Sequence, residues 1–347
     1  MNPKYENITA PHFVMYIREI LSNKYGEKVI EQGGLKVVTT LNIDKQLIAE
    51  EVVAKYAERN AGNYNASNAA LVCIDTKTGQ ILAMVGSKDY FDDTIDGQVN
   101  VALRPRQPGS SFKPIVYLTA FHQGYTDETI LFDLVTKFKT DTADYEPKNY
   151  DLAEHGPVTM RTALAGSLNI PAVKALYLAG IDNVLDTAEQ LGYTTLQDRS
   201  RFGLSLVLGG GEVTLLEHTA AFATLAREGA KHPVSGILRI EDSTGKILEE
   251  YEEREEAVLD QEKIRLLNDV LSDDNARAYV FGTGSNLTLP GRPVAAKTGT
   301  TNDYRDAWTV GYTPSFATGV WVGNNDNSEM RRGAAGSVVA APIWHEF

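Results

Sequence analysis

The sequence predicts an α+β fold in which a five-stranded antiparallel sheet is flanked by helices. Two apolar segments, 69–74 and 80–85, enclose the turn-forming residues 75–79, which is the pattern of a β-hairpin. The middle of the chain carries apolar residues mostly at helical spacing. Strands at both ends of a domain with helices between them favour one antiparallel sheet covered by helices. Three more strand-like segments lie near the end of the chain: 293–300, 307–311 and 316–323.

The residues before the first hairpin predict a small N-terminal region. Apolar residues at helical spacing indicate a helix within 5–26, and a short β-branched segment at 35–41 indicates a strand. An amphipathic helix is expected from residue 43 to about residue 61. The run 60–65 is rich in Asn and contains Gly, so we place the end of this region at residue 62.

The middle of the chain predicts a helical layer and one insertion. Residues 237–251, with a turn at 242–245, have the pattern of a small exposed hairpin, and the charged run 252–256 that follows is interpreted as a solvated face. The predicted helices of the layer are 110–123, 160–167, 171–178, 184–191, 215–227 and 264–271.

The composition indicates a folded globular protein. The chain has 347 residues, of which 43% are hydrophobic and 23% charged, a balance that favours a folded domain over a disordered chain. Its formal net charge of -13 repels phosphate backbones, which makes nucleic acid an unfavourable partner. No stretch approaches the length of apolar residues needed to cross a membrane, so the chain as given is expected to be soluble.

Thiol, metal and cofactor chemistry are disfavoured. The single cysteine, Cys73, has apolar neighbours and is interpreted as a buried structural thiol. The six histidines are scattered, without the spacing of paired metal ligands. We therefore predict that the protein binds no metal and uses no cofactor.

Three short motifs stand in the order that a serine acyltransferase requires. Each motif alone is weakly specific, because 243–246 is a second Ser-x-x-Lys and 77–79 is a second Lys-Thr-Gly. Both of these duplicates lie in predicted hairpin turns, and only one set of motifs has the required order. That set is Ser110-Ser111-Phe112-Lys113, Ser167-Leu168-Asn169 and Lys297-Thr298-Gly299-Thr300.

The first motif supplies a nucleophile and a base. The turn 107–109 precedes a predicted helix, so Ser110 is expected at the N-terminus of that helix. Lys113 lies one turn further on the same face, where its amine can act as the general base for the Ser110 hydroxyl. This role needs a neutral amine, and both burial and a nearby Lys297 cation lower the pKa of a lysine.

The other motifs supply substrate contacts. Backbone N–H groups of Ser110 and Thr300 are candidates for an oxyanion site. Lys297, with the hydroxyls of Thr298 and Thr300 and the intervening Gly299, is expected to hold a substrate carboxylate on the strand.

The middle motif has two interpretations. In the catalytic interpretation, Ser167 relays a proton to the leaving amine, and Asn169 orients the substrate amide and Lys113. In the structural interpretation, which is favoured when the motif is taken alone, Ser167 and Asn169 form a helix cap before Pro171.

The chain resembles the transpeptidase domain of class A penicillin-binding proteins, and the resemblance covers essentially its whole length. It implies a β-lactamase/transpeptidase-like fold with Ser110, Lys113, Ser167, Asn169 and Lys297 as catalytic residues. It also implies an acyl-enzyme formed from the D-Ala-D-Ala end of a peptidoglycan stem peptide, an amine acceptor from a neighbouring strand, and inhibition by β-lactams. Beyond the three motifs, the resemblance is carried by 106–109, 149–151, 161–173, 208–214, Thr301, 306–308 and 311–314.

The resemblance implies a larger parent protein. Residues 1–62 resemble the linker that follows a glycosyltransferase domain, and 63–347 resemble the transpeptidase domain. The parent protein is then expected to be anchored in the bacterial plasma membrane and to act outside the cytoplasm, in the cell envelope.

Other functions remain open at this point. A D,D-carboxypeptidase or a β-lactamase-type hydrolase uses the same motifs, although the nearest match to a deacylating glutamate carries Ile264 instead. A β-lactam sensor that acylates without turnover, or an inactive binding scaffold, also fits the residues. A phosphate-binding loop at 291–298 is disfavoured, because Ala296 replaces the glycine that such a loop needs.

Overall fold

A five-stranded antiparallel sheet forms the centre of the protein, as the sequence predicts. The computed structural model describes residues 8–32, 34–140 and 144–347. Strand order in the sheet is β10-β11-β12-β2-β3, so the C-terminal strands pair with the first hairpin and β10 is an edge. The strands are β2 (Asn68–Asp75), β3 (Ile81–Val85), β10 (Ala295–Thr300), β11 (Asp306–Tyr312) and β12 (Phe316–Gly323).

Helices cover both faces of this sheet. The larger core lies between one face and helices that include α4, α6 and α8, and the second core lies between the other face and α3, α11 and α12. The helices are α1 (Pro11–Tyr25), α2 (Glu27–Gln32), α3 (Ile43–Tyr64), α4 (Lys113–His122), α5 (Met160–Ala165), α6 (Asn169–Ala179), α7 (Ile181–Leu191), α8 (Leu215–Ala226), α9 (Gln261–Ser272), α10 (Asp274–Phe281), α11 (Gly336–Val339) and α12 (Ala341–Glu346).

The central strands are mostly apolar because both of their faces are covered. In β2, Val72 and Ile74 face the larger core, whereas Leu71 and Cys73 face the second core. Cys73 is fully buried, and burial raises the pKa of its thiol to about 12. The prediction of a structural thiol is therefore confirmed.

Small sheets join segments that the sequence analysis treated separately. The hairpin predicted to be an exposed insertion is instead part of a sheet of order β1-β7-β8, in which Val37 is paired with Ile240. Isolated hairpins are marginally stable, and pairing with β1 gives this one a third strand. The short strands are β1 (Lys36–Thr39), β4 (Ile130–Asp133), β5 (Gly156–Thr159), β6 (Ala230–Lys231), β7 (Ile237–Glu241), β8 (Ile247–Glu250) and β9 (Glu256–Ala257).

The region before residue 63 packs into the same two cores as the rest of the chain. Phe13 of α1 is buried in the larger core, and α3 contributes to the second core. The prediction that 60–65 forms a turn is wrong for residues 60–64, because α3 continues to Tyr64. Asn60 tolerates this helical position because its buried amide donates to Val339 O at 3.1 Å. The first residues of the predicted helix 5–26, residues 5–7, lie outside the described part.

Within residues 8–32, 34–140 and 144–347, no helix is both long enough and apolar enough to cross a bilayer.

Candidate active site

The first motif lies in a tight turn beside the edge strand β10. Residues Gly109–Phe112 form a 3-10 helix that continues directly into α4. A 3-10 helix has three residues per turn, so Ser110 and Lys113 lie on the same side of the chain. Pro114 occupies the first turn of α4, where no N–H donor is needed. The expectation that Ser110 begins a helical segment is confirmed, with the refinement that its first turn is a 3-10 turn.

Lys113 is fully buried and lies among oxygen acceptors of the second motif. Its Nζ donates to Ser167 O at 2.6 Å and to Asn169 Oδ1 at 2.7 Å, and lies 3.3 Å from Ser167 Oγ. Burial, and then the nearby charge of Lys297, hold the pKa of Lys113 well below its ordinary value of 10.5. A neutral amine has two N–H groups, and the two short bonds use both. Its lone pair is then left for another proton donor.

Ser110 Oγ makes no hydrogen bond to any described residue. The structure thus brings Lys113, Ser167, Asn169 and Lys297 into direct contact, and places Ser110 one turn from Lys113 without a bond between them. Catalytic hydrogen bonds are often long or unformed in a ligand-free site. The Ser110 hydroxyl is consequently unrestrained and half-buried at the site.

Ser167 is held in an unusual backbone conformation. Its φ is 61°, in the left-handed region, where a non-glycine residue is uncommon and indicates a local constraint. Its N–H donates to Leu164 O at 3.1 Å, which ends α5 and turns the chain into α6. This turn directs the Ser167 hydroxyl to Lys297, whose Nζ donates to it at 2.8 Å.

The helix-cap interpretation of the second motif is wrong. Leu168 occupies the N-cap position of α6, and no side chain of the motif caps that helix. The first N–H groups of α6 are instead bonded to Asn149, whose Oδ1 accepts from Asn169 N at 2.8 Å and from Ile170 N at 3.3 Å. Because Asn149 serves as the cap, the Asn169 side chain is available for Lys113.

A chain of buried amides orients Asn169. Asn149 Nδ2 donates to both oxygens of the Asp133 carboxylate, at 2.8 and 2.9 Å. Asn169 Nδ2 donates to Lys148 O at 2.8 Å, which directs its Oδ1 to Lys113. Asp133 was not identified from the sequence, because its only local signal is an alternating four-residue strand far from the motifs.

Lys297 shares its surroundings with a buried arginine. It is 3% exposed, and it donates to Thr298 O at 3.0 Å as well as to Ser167. Arg277 of α10 lines the same small cavity as Lys297 and Thr298. Burial, and then the charge of Arg277, lower the pKa of Lys297 to about 7. Arg277 was also missed, since an arginine in a short, unpredicted helix carries no motif.

The rest of the third motif presents backbone and hydroxyl groups. Thr301 N–H donates to Asp306 O of β11. Successive N–H groups along a strand point to opposite sides, so Thr300 N–H points away from β11, toward the open edge of the sheet. Thr300 Oγ1 accepts from Gly336 N at 2.9 Å, which leaves its own proton free to be donated. Thr298 Oγ1 has no hydrogen-bond partner among the described residues.

Three glycines allow the 3-10 turn Gly109–Phe112 to contact β10 closely. This turn carries Ser110, the predicted nucleophile, and is called the nucleophile turn below. Gly109 has φ 56°, and a Cβ at this position would lie 2.6 Å from Thr300 O. A Cβ on Gly299 would lie 2.0 Å from Pro108 O, and a Cβ on Gly209 would lie 2.1 Å from Gly109 N. Backbone therefore packs on backbone at these positions, which only residues without a Cβ allow.

Replacing Gly209 by alanine is expected to slow acylation of Ser110 by about 10²-fold, because displacement of a reacting group by an ångström has effects of this size. Gly203→Ala is the matched control, since nothing lies within 4 Å of a Cβ there and its φ is not left-handed. The measurement is the rate of labelling by a fluorescent penicillin. Equal rates in the two variants would contradict the close packing described above.

Aromatic side chains lie at the mouth of the site. Tyr304, in the loop after β10, donates from its hydroxyl to the hydroxyl of Tyr150 at 3.0 Å, and Tyr150 is 70% exposed. Trp308, by contrast, is fully buried and donates from Nε1 to Gln107 O at 2.8 Å, so it packs inside the protein and does not line the mouth. A groove of about 350 Å³, lined by Gly209, Thr301 and their neighbours, opens beside the nucleophile turn.

The two duplicate motifs do not take part in the site. Asp242 Oδ1 accepts from Thr244 N at 2.8 Å in the turn that contains Ser243, and Asp75 Oδ1 accepts from Lys77 N at 2.8 Å in the other turn. Both duplicates lie in hairpin turns, as predicted. Within the described ranges, no three or more His, Cys, Asp or Glu side chains converge on a possible metal site.

Comparison with known proteins places these motifs in a family. The model of the penicillin binding protein transpeptidase domain matches residues 69–347. Penicillin-binding protein 1A of Aquifex aeolicus is 40% identical over 282 residues, which are 80% of this chain and 37% of that protein. Penicillin-binding protein 2D of Bacillus subtilis is 32% identical over 357 residues, covering 100% of this chain and 50% of that protein. The chain thus spans half or less of the length of these relatives.

Solved structures agree with this relationship. The PonA1 protein of Mycobacterium tuberculosis, in complex with penicillin V, matches with a TM-score of 0.81 at 26% identity, over 97% of this chain and 92% of that one. Penicillin-Binding Protein 1A of Haemophilus influenzae matches with a TM-score of 0.84 at 20% identity, over 98% of this chain and 70% of that one, and supports the fold alone. The chain belongs to the family of penicillin-binding protein transpeptidase domains, with class A penicillin-binding proteins among its relatives.

Proposed function

We propose that this chain is a serine-type D,D-transpeptidase domain that cross-links peptidoglycan stem peptides through an acyl-enzyme on Ser110. The observation that carries the proposal is the position of Lys113. Its buried amine lies one turn from Ser110 and has both short N–H bonds directed to Ser167 and Asn169. This arrangement favours a lysine that accepts a proton from a serine hydroxyl.

In the proposed acylation, Ser110 Oγ attacks the carbonyl carbon of the penultimate D-Ala while its proton moves to the lone pair of Lys113. The carbonyl oxygen becomes an oxyanion, and the N–H groups of Ser110 and Thr300 are the donors proposed to bind it. The terminal carboxylate of the substrate binds along β10, where the hydroxyls of Thr298 and Thr300 have protons to donate and Gly299 leaves room for the approach. The buried Lys297 supplies positive charge beneath this position.

In the proposed second half of acylation, the tetrahedral intermediate collapses and its C–N bond breaks. The leaving amine takes the Ser167 hydroxyl proton, and Ser167 regains one from the protonated Lys113, 3.3 Å away. D-Ala then departs as a neutral amine, and Lys113 is again a neutral base. Lys297, which donates to Ser167 Oγ at 2.8 Å, stabilises the hydroxyl as it gives up its proton.

The ester is then proposed to react with an amine acceptor rather than with water. The amine of a neighbouring stem peptide attacks the acyl carbon and loses a proton to Lys113. As the new amide bond forms and the ester C–O bond breaks, Ser110 Oγ takes that proton from Lys113, so both the hydroxyl and the neutral amine are restored. Rapid hydrolysis needs a base that activates water, yet the hydrogen-bond partners of Lys113, Ser167 and Lys297 among the described residues include no carboxylate. Ile264, the residue in place of a deacylating glutamate, is buried in the larger core.

We further propose the domain organisation and location of the parent protein. Residues 1–62 are assigned to the linker after a glycosyltransferase domain, and 63–347 to the transpeptidase domain. The proposal rests on relatives that are about twice or more as long as this chain. The parent protein is expected to be anchored in the plasma membrane of a bacterium and to meet its stem peptides, and β-lactams, on the outer side.

The test is intact-mass spectrometry after the protein is mixed with a fluorescent penicillin. The unmodified chain is expected to form a stable one-to-one adduct, because no carboxylate among the described residues bonds to Lys113, Ser167 or Lys297 where it could activate water against the Ser110 ester. Ser110→Ala is expected to form none, whereas the matched variant Ser243→Ala, in the duplicate Ser-x-x-Lys motif, is expected to label fully.

Other outcomes discriminate between the alternatives. Label that survives in Ser110→Ala would overturn the assignment of the nucleophile. A transient adduct that releases hydrolysed penicillin would indicate a carboxypeptidase or β-lactamase instead. If the unmodified chain forms no adduct, the non-catalytic scaffold becomes the better explanation.

A further inference from the structure

A row of buried polar side chains lies directly behind the nucleophile turn and has no part in the proposed chemistry. Tyr193, which follows α7, bonds to His218 of α8, with 2.7 Å between the hydroxyl and Nδ1. His218 Nε2 lies 2.9 Å from the hydroxyl of Ser111, the residue after the nucleophile. Ser111 Oγ in turn donates to Pro108 O at 2.7 Å. All three side chains are at most 2% exposed.

The hydrogen bonds in this row have only one consistent direction. Ser111 has a single hydroxyl proton, and its bond to the Pro108 carbonyl uses that proton. His218 Nε2 must therefore carry a proton and donate to Ser111 Oγ. His218 Nδ1 is then the unprotonated nitrogen of a neutral imidazole, and it accepts the Tyr193 hydroxyl proton.

The surroundings keep this row neutral. The rings of Phe222 and Trp308 lie 5.0 and 5.6 Å from the His218 ring, centroid to centroid. Burial lowers the pKa of His218 to about 3 and raises the pKa of Tyr193 well above its usual value. The imidazole is thus neutral and the phenol protonated throughout the working range of pH, so the direction of the bonds does not change.

The row ends at a carbonyl that touches β10. Pro108 O occupies the space that a Cβ on Gly299 would need, at 2.0 Å from it. The preceding carbonyl, Gln107 O, is held by Trp308 of β11. Two successive carbonyls before Ser110 are therefore held by side chains. Trp308 of the sheet holds the first, and Ser111, which is bonded to His218 of α8, holds the second.

We propose that His218 is a positioning residue for Ser110: by bonding Tyr193 and Ser111 together, it holds the Pro108 carbonyl against β10 and so sets the distance between the N–H groups of Ser110 and Thr300. The inference rests on the proposed function, in which Ser110 is the nucleophile and these two N–H groups bind the oxyanion. It assigns His218 no contact with substrate.

The test separates binding of a fluorescent penicillin from acylation by stopped-flow measurement. His218→Phe keeps a ring of similar size and removes both bonds. We expect its acylation rate constant to fall by about 10²-fold, as displacement of a reacting group does, while the dissociation constant changes by less than about twofold. His218→Gln, which keeps an N–H donor for Ser111, is expected to recover most of the loss.

A matched variant on the same helix controls for a purely structural role. Thr224 is also buried on α8, and among the described residues its hydroxyl bonds to Ala220 O alone, at 3.2 Å. Thr224→Val is expected to lower the melting temperature while leaving the acylation rate constant unchanged. Equal acylation rate constants in His218→Phe and Thr224→Val would overturn the inference alone, whereas label that survives in Ser110→Ala would overturn the proposed function together with it.

The direction of the bonds is testable in the unmodified chain, with one conservative variant to identify the His218 signals. Nitrogen-15 NMR of the histidine rings is expected to show one neutral ring with its proton on Nε2, and that ring should not titrate between about pH 5 and pH 8. Tyr193→Phe removes one oxygen and is expected to change the Nδ1 shift of this ring only. A His218 ring that is protonated on Nδ1, or that titrates in this range, would contradict the inference.

Discussion

Replacing Lys113 by methionine is expected to slow acylation of Ser110 by about 10²- to 10⁴-fold, the usual contribution of a general base. Methionine fills similar space and removes the amine, so Ser110 loses its proton acceptor. The two oxygens that Lys113 now binds, Ser167 O and Asn169 Oδ1, also lose their shared donor. The measurement is the second-order rate constant of labelling by a fluorescent penicillin, followed by mass spectrometry.

Two further variants make this prediction specific to proton transfer. Lys113→Arg places a permanent cation with several N–H donors at this position, and because arginine stays protonated in proteins it is expected to be as slow as Lys113→Met. Lys174→Met is the matched control: Lys174 lies further along α6 and donates to Phe132 O, and among the described residues it makes no hydrogen bond to the three motifs. If Lys113→Arg retained the original rate, Lys113 would act through its charge, and the role of base would be wrong.

The sheet and most helices could be predicted from the sequence because their apolar spacing is local and regular. The strand 316–323 is found at its predicted bounds, and α8 and α9 lie within a few residues of theirs. The pairing of β1 with β7 was not predictable, since Val37 and Ile240 are far apart in sequence and neither segment signals its partner. The extension of α3 to Tyr64 depends likewise on a distant acceptor, Val339 O, for Asn60.

The motif residues of the candidate site could be predicted because their types and order are specific to one chemistry. The roles of the residues that hold these motif residues in place could not be predicted. Asp133, Asn149 and Arg277 act through contacts with residues distant in sequence, and none of them has a spacing that a reader of the sequence can interpret. Polar residues that serve a site from outside its motifs become visible only when the fold places them there.

Changing Lys297 to glutamine is expected to alter the pH dependence of acylation as well as its rate. In the unmodified chain, Lys113 must be neutral and Lys297 charged for the proposed reaction. The rate should therefore rise with pH as Lys113 loses its proton, and fall as Lys297, whose pKa is about 7, loses its own. The two lysines face each other across Ser167, so their titrations are coupled and the profile belongs to the pair.

Glutamine removes one charge of this pair. The Lys297 cation lowers the pKa of Lys113, so without it the pKa of Lys113 rises toward its ordinary value. The acid limb of the profile is then expected to move to higher pH, and the alkaline limb near pH 7 to disappear. The maximal rate should also fall by about 10²- to 10³-fold, because a preorganised charge beneath the carboxylate and Ser167 has been lost.

The direction of the acid limb is the decisive part of this prediction. A general loss of structure would lower the rate at every pH and leave the position of the limb unchanged. Arg277→Gln provides a second measurement, since the charge of Arg277 lowers the pKa of Lys297. In that variant the alkaline limb is expected to move to higher pH, because Lys297 then keeps its proton longer. An acid limb that stays in place in Lys297→Gln would mean that Lys297 does not tune Lys113, and that burial alone keeps the base neutral.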